Sequence, residues 1–186
     1  MRRIWSLSAA LLLAAAISSA ADGALTLEYK VKTGYLFNFA NFVEWPAAAW
    51  SGPESPFVIG VLDDGENAGG ALPVLEALLR GKTVNGRPVR IQAVSVDQVG
   101  SGLHILFVTR AAGVSPAEIE AALGGAATLL VGETDRFAEQ GGMVGFLREG
   151  DNIRFQLNLE RVTAAGLKAS AKLASVARLV TTRRRP

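Results

Sequence analysis

Acidic residues follow two of the predicted strands and are the first candidates for contacts with a ligand or a cation. Asp63 and Asp64 come directly after the apolar run at residues 56–62, and Glu133 ends the run at residues 127–133. Ligands of open α/β sheets bind outside the carboxyl ends of the strands, so these acids predict a small-molecule pocket. The alternative, which we favour, is that acids at helix starts act as caps facing the helix dipole.

Two glycine-containing segments are compared with phosphate-binding loops, and neither fits. For RGKT (residues 80–83), a Walker A loop requires a glycine five positions before the Gly-Lys pair, where this chain has Glu76. The glycines of GGMVGF (residues 141–146) precede a strand rather than a helix N-terminus, so their amides are not arranged to hold an anion. We interpret them as a helix stop and a close backbone approach within the sheet.

The chain offers little for catalysis or metal binding. It has no cysteine, which excludes zinc–thiolate sites and cysteine nucleophiles, and it has a single histidine, which argues against a Ser-His-Asp triad. That residue, His104, lies in an apolar run and is interpreted as a packed side chain hydrogen-bonded to a neighbour. No nucleophile or oxyanion motif accompanies the carboxylates. We therefore expect no enzyme activity, no cofactor and no metal.

The aromatic segment YLFNFANFVEWP (residues 35–46) is predicted to belong to a helix over residues 25–44. Apolar side chains recur at helical spacing, and this stripe is expected to face the core: Val31, Tyr35, Phe39 and Phe42. Lys32 lies off the stripe. Pro46 disfavours helical backbone at the residue before it, so the helix is expected to stop there.

Two tryptophans near this helix end are the candidates for partner binding. Trp45 lies off the clear stripe, and Trp50 follows five residues later. Aromatic side chains concentrate at binding hot spots, and an exposed apolar surface rimmed by polar residues is typical of a surface that a partner covers. The sequence leaves open whether Trp45 packs inward or faces a partner.

The remaining elements alternate between strands and helices. They are a strand at 56–62, a helix at 71–81, strands at 89–94 and 103–109, a helix at 115–124, a strand at 127–133, a hairpin at 143–159 and a helix at about 160–181 with Val176 on its apolar stripe. Apolar strands alternating with helices favour an α/β fold. We expect one compact domain whose mixed, mainly parallel sheet is covered by helices on both faces, as a three-layer sandwich.

The helix at 115–124 has the most complete boundary signals in the chain. Ser115 is a candidate N-cap, Pro116 stands at the first helical position, and Glu118 completes a capping box. Gly124 is a candidate stop. This helix is therefore expected to begin and end where these residues place it.

The N-terminus has the pattern of a cleavable signal peptide over residues 1–21. Arg2 and Arg3 precede an apolar stretch that ends in small residues. That stretch is shorter than the roughly 20 apolar residues of a membrane span. We therefore expect export, one domain over residues 22–182, and a basic tail at residues 183–186.

Charge and composition further restrict the functional classes to which the protein can belong. Without the two arginines of the signal, 17 basic residues balance 17 acidic ones, and a nearly neutral domain argues against binding to nucleic acid through phosphates. Hydrophobic residues make up 49% of the chain, enough for one compact core. Because there is no cysteine, that core must be held by packing alone.

In the order and spacing of these elements the chain resembles the YfiR family. The resemblance rests on the aromatic helix that ends at Trp-Pro (YKVKTGYLFNFANFVEWP), on the GKTVNGRPV turn, and on HILFV. It also rests on the C-terminal block, in which a glycine pair precedes a hairpin that ends in FQLNL. It covers about residues 27–181, and the elements are specific in combination rather than singly.

The resemblance implies a periplasmic, non-enzymatic regulator that forms dimers. Such a protein binds and represses the periplasmic sensor region of an inner-membrane diguanylate cyclase, which lowers cyclic-di-GMP signalling and biofilm formation. It implies neither stable membrane insertion nor a nucleic-acid partner. The redox control that cysteine pairs give to some family members has no counterpart here. The alternative function is a periplasmic small-molecule-binding protein with a pocket beside Asp63, Asp64 and Glu133.

Overall fold

The structure, a computed structural model, describes residues 26–63 and 70–183. The helices in this part of the chain are α1 (residues 26–42), α2 (Ala71–Leu79), α3 (Pro116–Leu123), α4 (Leu159–Ala164) and α5 (Ala171–Val176). The strands are β1 (Val43–Glu44), β2 (Phe57–Leu62), β3 (Thr83–Val84), β4 (Arg87–Val94), β5 (Ile105–Val108), β6 (Leu129–Gly132), β7 (Val144–Glu149), β8 (Asn152–Leu157), β9 (Lys168–Ala169) and β10 (Arg178–Leu179).

Eight of the described strands form one mixed sheet in the order β10-β8-β7-β6-β5-β2-β4-β3. β2 pairs in parallel with β4 and β5, β5 with β6, β6 with β7, and β8 with β10. The hairpins β3–β4 and β7–β8 are antiparallel. The predicted α/β class and mixed sheet are confirmed, whereas the covering of both sheet faces by helices stays a prediction. Because β2, β5 and β6 run in one direction, the loops after them lie at the same end of the sheet.

The central strands are buried because they are apolar on both faces. All four residues of β5 (ILFV) and of β6 (LLVG) are buried, as are all but one of β2 (FVIGVL). Burying one side chain of this size stabilises the fold by roughly 1.5–3 kcal/mol. These strands are the rigid support for the loops at their ends.

α1 packs against the β7–β8 hairpin through aromatic rings. Phe39 is fully buried, and its ring centroid lies 5.0 Å from that of Phe155 and 6.1 Å from that of Phe146. Tyr35 is half-buried, its ring centroid lies 5.4 Å from that of Phe155, and its hydroxyl donates to the carbonyl of Ile153 at 3.0 Å. The predicted core-facing aromatic helix is therefore confirmed at these positions.

The predicted stripe of α1 is wrong at two positions. Val31 is exposed, whereas Lys32, which was placed off the stripe, is buried at 4% exposure. An ion pair with Glu133 offsets the free-energy cost of removing the Lys32 ammonium group from water. α1 also ends at residue 42 rather than 44, because Val43 and Glu44 leave the helix to pair with β9.

The C-terminal segment is not the single helix predicted over residues 160–181. Gly166 lies in the left-handed region at φ 74°, just after α4, and Ser170 caps α5 by accepting the N–H of Leu173 at 3.2 Å. Between the two helices β9 pairs with β1, and after α5 β10 pairs with β8. Pairing with distant strands thus divides the segment and leaves Val176 exposed rather than buried.

The boundaries predicted for α3 are confirmed. The hydroxyl of Ser115 accepts the N–H of Glu118 at 3.3 Å, and the Glu118 carboxylate accepts the N–H of Ser115 at 2.9 Å. The hydroxyl of Ser115 also donates to that carboxylate at 2.6 Å, and this hydrogen bond, together with the one from the Ser115 backbone N–H, lowers the pKa of Glu118. Pro116 occupies the first turn, and Gly124 ends the helix in the left-handed region at φ 57°.

Gly142, just before β7, and Gly145, within it, allow close packing contacts, as predicted. Phe137 is fully buried. A Cβ atom at Gly132 or at Gly142 would overlap its ring, and one at Gly145 would lie 3.1 Å from the backbone nitrogen of Ala138. The glycines are therefore needed to seat the Phe137 ring against the sheet.

Candidate functional site

A cleft of about 290 Å³ opens at the carboxyl ends of β5 and β6. β7 pairs with β6 only at Val144 and Gly145 but continues to Glu149, so the part of β7 that extends past β6 borders the cleft. Arg110 follows β5, Glu133 follows β6, and both line the cleft. We call it the arginine cleft after the four arginines that line it within the described part of the chain: Arg110, Arg136, Arg148 and Arg178.

Glu133 is the buried acid of the arginine cleft, at 7% exposure. Its carboxylate accepts the hydroxyl of Tyr29 at 3.2 Å and the backbone N–H of Arg110 at 2.7 Å, and it pairs with Lys32. Lys32 also pairs with Glu28, at 2.5 Å. This network ties the first turns of α1 to the ends of β5 and β6, and it occupies both carboxylate oxygens of Glu133.

The phenol of Tyr29 is a fixed hydrogen-bond donor in this network. Burial raises the pKa of Tyr29 above its usual range, and the charge of Glu133 and the hydrogen bond to it raise that pKa further. The phenol therefore keeps its proton at neutral pH. Its hydroxyl holds Glu133 in place.

Asp63 lies at the neighbouring strand end. It follows β2 and accepts the hydroxyl of Thr109 at 2.9 Å. Its charge, like that of Glu133, contributes to raising the pKa of Tyr29, so both acids lie near the same phenol. Glu133 lines the arginine cleft and Asp63 does not, while Asp64 lies outside the described residues. A ligand contact by these three acids stays a prediction.

Two of the cleft arginines are held by nearby acceptors. Arg110 donates from one terminal nitrogen to the carboxylate of Asp135 at 3.1 Å and to the backbone carbonyl of Glu133 at 2.8 Å. The Nε of Arg136 donates to the carboxylate of Glu139 at 3.2 Å. The two carboxylates offset the positive charges of Arg110 and Arg136 beside the carboxyl ends of β5 and β6.

The other two arginines are less well neutralised. The terminal nitrogens of Arg148 lie 4.0 Å from Glu28 and 3.9 Å from Asp151, beyond hydrogen-bond distance, while its Nε donates to the carbonyl of Gly150 at 3.0 Å. Arg178 makes no ion pair with any residue that the structure describes. Sequence reasoning missed these cations because they stand on separate elements and only the sheet order brings them together.

The two tryptophans lie at the opposite, amino end of the sheet, since Phe57 begins β2 and His104 directly precedes β5. The indole N–H of Trp45 donates to the carbonyl of His104 at 3.0 Å, and its ring meets Phe57 edge-on at 5.0 Å. The ring of Trp50 lies 4.2 Å from the imidazole, and the guanidinium of Arg87 lies 4.0 Å above it. Trp45 thus packs inward on one side, and both indoles are half-buried.

His104 is the centre of this aromatic cluster. It is 2% exposed, and its Nδ1 accepts the N–H of Val58 at 3.1 Å, as predicted for a packed histidine. Burial lowers the pKa of His104 to about 4, and the positive charge of Arg87 contributes. The imidazole is therefore neutral at pH 7 and serves as a structural acceptor.

Two kinds of feature are not found within residues 26–63 and 70–183. No group of three or more histidine, aspartate or glutamate side chains there could hold a metal ion. No helix in those residues is long and apolar enough to cross a membrane.

Comparison with known proteins places the chain within a family. A family model described as YfiR/HmsC-like matches residues 29–178. Among solved structures, a conserved domain protein from Vibrio cholerae O1 biovar El Tor is similar, with a TM-score of 0.51 and 11% sequence identity. The match covers 68% of this chain and 55% of the other, so this chain spans about half the length of that protein. At this identity the likeness shows the fold alone. None of the curated proteins compared matches the sequence.

Proposed function

Because the chain belongs to the YfiR/HmsC-like family, we propose that it is a non-enzymatic periplasmic regulator of an inner-membrane diguanylate cyclase. It binds the periplasmic sensor region of the cyclase and represses it, which lowers cyclic-di-GMP signalling. The observation that carries this proposal is the family match over residues 29–178, which spans α1 to the start of β10.

The proposal is tested by a deletion strain and by direct binding. Deleting the gene should raise cyclic-di-GMP and biofilm mass, and expressing the chain again should reverse both. The purified chain should bind the isolated periplasmic region of an inner-membrane diguanylate cyclase from the same organism. If the two proteins form no complex and the cyclic-di-GMP level is unchanged on deletion, the proposal is wrong.

The proposed compartment depends on removal of residues 1–21, which lie outside the described part. Chain recovered from a periplasmic extract should begin near Ala21 or Asp22, as read from the intact mass. Full-length chain confined to the cytoplasm would contradict export.

Trp45 and Trp50 are the proposed partner contacts, and Trp50 gives the sharper test. Its half-buried indole is held between His104 and Arg87, so it is rigid enough to act as an anchor at low entropic cost. Trp50→Ala should weaken binding to the cyclase region by tenfold or more. Leu78→Ala is the control, since Leu78 is 42% exposed on α2. Equal losses in the two variants would remove Trp50 from the interface.

Trp45 requires a separate readout because it also contributes to packing. Its hydrogen bond to the carbonyl of His104 and its contact with Phe57 are lost in Trp45→Ala. We expect that variant to unfold at a lower urea concentration as well as to bind less. Binding by the remaining folded fraction separates the two effects.

Self-association belongs to the same proposal, because the family resemblance implies a homodimer. Sedimentation equilibrium of the purified chain, alone and with the cyclase region, gives the stoichiometry. A monomer at all concentrations would contradict the homodimer.

The second candidate function is the binding of a small molecule in the periplasm. The observation that favours it is the arginine cleft, which lies at the carboxyl ends of parallel strands beside Glu133. A ligand present at 100 times its dissociation constant should add roughly 2.7 kcal/mol to the free energy of unfolding. A metabolite screen in which no compound raises the melting temperature would count against this function.

A further inference from the structure

The arginine cleft carries more positive than negative charge. Among the residues that the structure describes, five cationic and three acidic side chains line it. Glu133 and Glu28 are engaged by the buried Lys32, and Asp135 is engaged by Arg110. The excess positive charge therefore lies on arginines that take no part in those ion pairs.

Arg148 and Arg178 hold most of that surplus. The carboxylates nearest to Arg148 are 3.9 and 4.0 Å away, and Arg178 has no ion pair within the described chain. A guanidinium keeps its charge at every physiological pH and presents donors in a planar fork. Carboxylates and phosphates accept two parallel hydrogen bonds from that fork, which is the strongest arrangement available to it.

The rest of the lining fits an organic ligand of limited size. Phe146, Leu147 and Ile153 give the cleft an apolar side, and Phe146 is only 5% exposed. A volume of 290 Å³ is at the lower limit of roughly 300–1,000 Å³ for pockets that hold drug-sized molecules. A cation is disfavoured, because the buried acid Glu133 already holds Lys32.

We propose that the arginine cleft binds a small organic anion whose carboxylate or phosphate group pairs with Arg148 and Arg178. The carbon skeleton packs on Phe146 and Ile153. This inference rests on the second proposed function and is independent of cyclase regulation. Binding is measured on the isolated chain, so a failure of repression leaves it intact, and its own failure leaves repression intact.

The test is titration calorimetry of the purified chain at constant ionic strength. The probes are succinate, benzoate, glycerol 3-phosphate and inorganic phosphate, with the neutral analogues succinamide and glycerol. We expect saturable binding of at least one anion and of neither neutral compound. Binding only by succinate or benzoate identifies a carboxylate ligand, and binding only by the phosphates identifies a phosphate ligand.

Arginine variants locate the site. Arg148→Gln and Arg178→Gln should each weaken anion binding by about tenfold or more, since each removes charge-assisted hydrogen bonds. Arg90→Gln is the matched control, because Arg90 is exposed on β4 and does not line the cleft. The inference is overturned if no probe binds, if the neutral analogues bind equally well, or if Arg90→Gln weakens binding as much as the cleft variants do.

Discussion

Acidification below pH 6.5 is expected to destabilise the protein through His104. The imidazole is 2% exposed, and its Nδ1 accepts the N–H of Val58. A proton on Nδ1 removes that acceptor and places a charge in an apolar aromatic cluster. Burial, with a contribution from Arg87, therefore lowers the pKa of His104 from 6.5 to about 4.

The size and the sign of the change in unfolding free energy follow from this lowered pKa. The folded and unfolded pKa values, about 4 and 6.5, correspond to a difference of about 3 kcal/mol. Above pH 6.5 neither state binds the proton, and stability is unaffected. Between pH 6.5 and 4 only the unfolded chain is protonated, so the free energy of unfolding falls by up to about 1.4 kcal/mol per pH unit. Below pH 4 this loss is complete.

Urea unfolding of the wild type and of His104→Asn, measured from pH 7.5 to pH 4.5, isolates this contribution. The asparagine carbonyl can still accept the N–H of Val58 but does not titrate. We expect the variant to have the flatter dependence of unfolding free energy on pH. Because the chain has one histidine, its ring-proton NMR signal reports the same equilibrium directly, with a midpoint near pH 4. Parallel stability curves, or a midpoint near 6.5, would refute the reasoning.

Two further changes test the packing of the arginine cleft and of β6 by urea unfolding. Lys32→Met leaves the buried Glu133 without its cation and should lower the free energy of unfolding by about 3–5 kcal/mol. Adding Glu133→Gln should restore part of that loss. Additive losses in the double variant would show that the two residues are not coupled. Gly132→Ala places a Cβ atom in the ring of Phe137 and should cost about 1–3 kcal/mol. Gly100→Ala, where a Cβ meets no atom within 4 Å, should be nearly neutral, and equal losses at the two glycines would contradict the steric argument.

Features encoded by neighbouring residues were predictable from the sequence. The start of α3 depends on hydrogen bonds between Ser115 and Glu118, three positions apart. The Asn85-Gly86 turn is similarly local, with both residues at positive φ between β3 and β4. β5 and β6 were identified because a run of apolar residues is sufficient to bury a central strand.

Features that depend on distant pairing were not predictable in this way. Lys32 is buried because Glu133, 101 positions away, accepts its charge, and helical spacing carries no information about that partner. The C-terminal segment has helical periodicity, yet main-chain pairing of β9 with β1 and of β10 with β8 divides it. The arginine cleft is a further example, since Arg110, Arg148 and Arg178 meet only through the strand order.

α1 connects the two proposed surfaces of the molecule. Its first turns carry Tyr29 and Lys32, which bind Glu133 at the arginine cleft, and its last turn leads to Trp45 at the amino end of the sheet. A helix of this length spans about 25 Å, so one rigid element contacts both regions.

If anion binding alters the affinity for the cyclase region, linkage requires the cyclase region to alter the affinity for the anion by the same factor. Calorimetric titrations of each ligand, with and without the other at saturation, measure both factors. Unequal factors would show that the two effects do not belong to one equilibrium, and factors of one would show that α1 transmits nothing between the two ends.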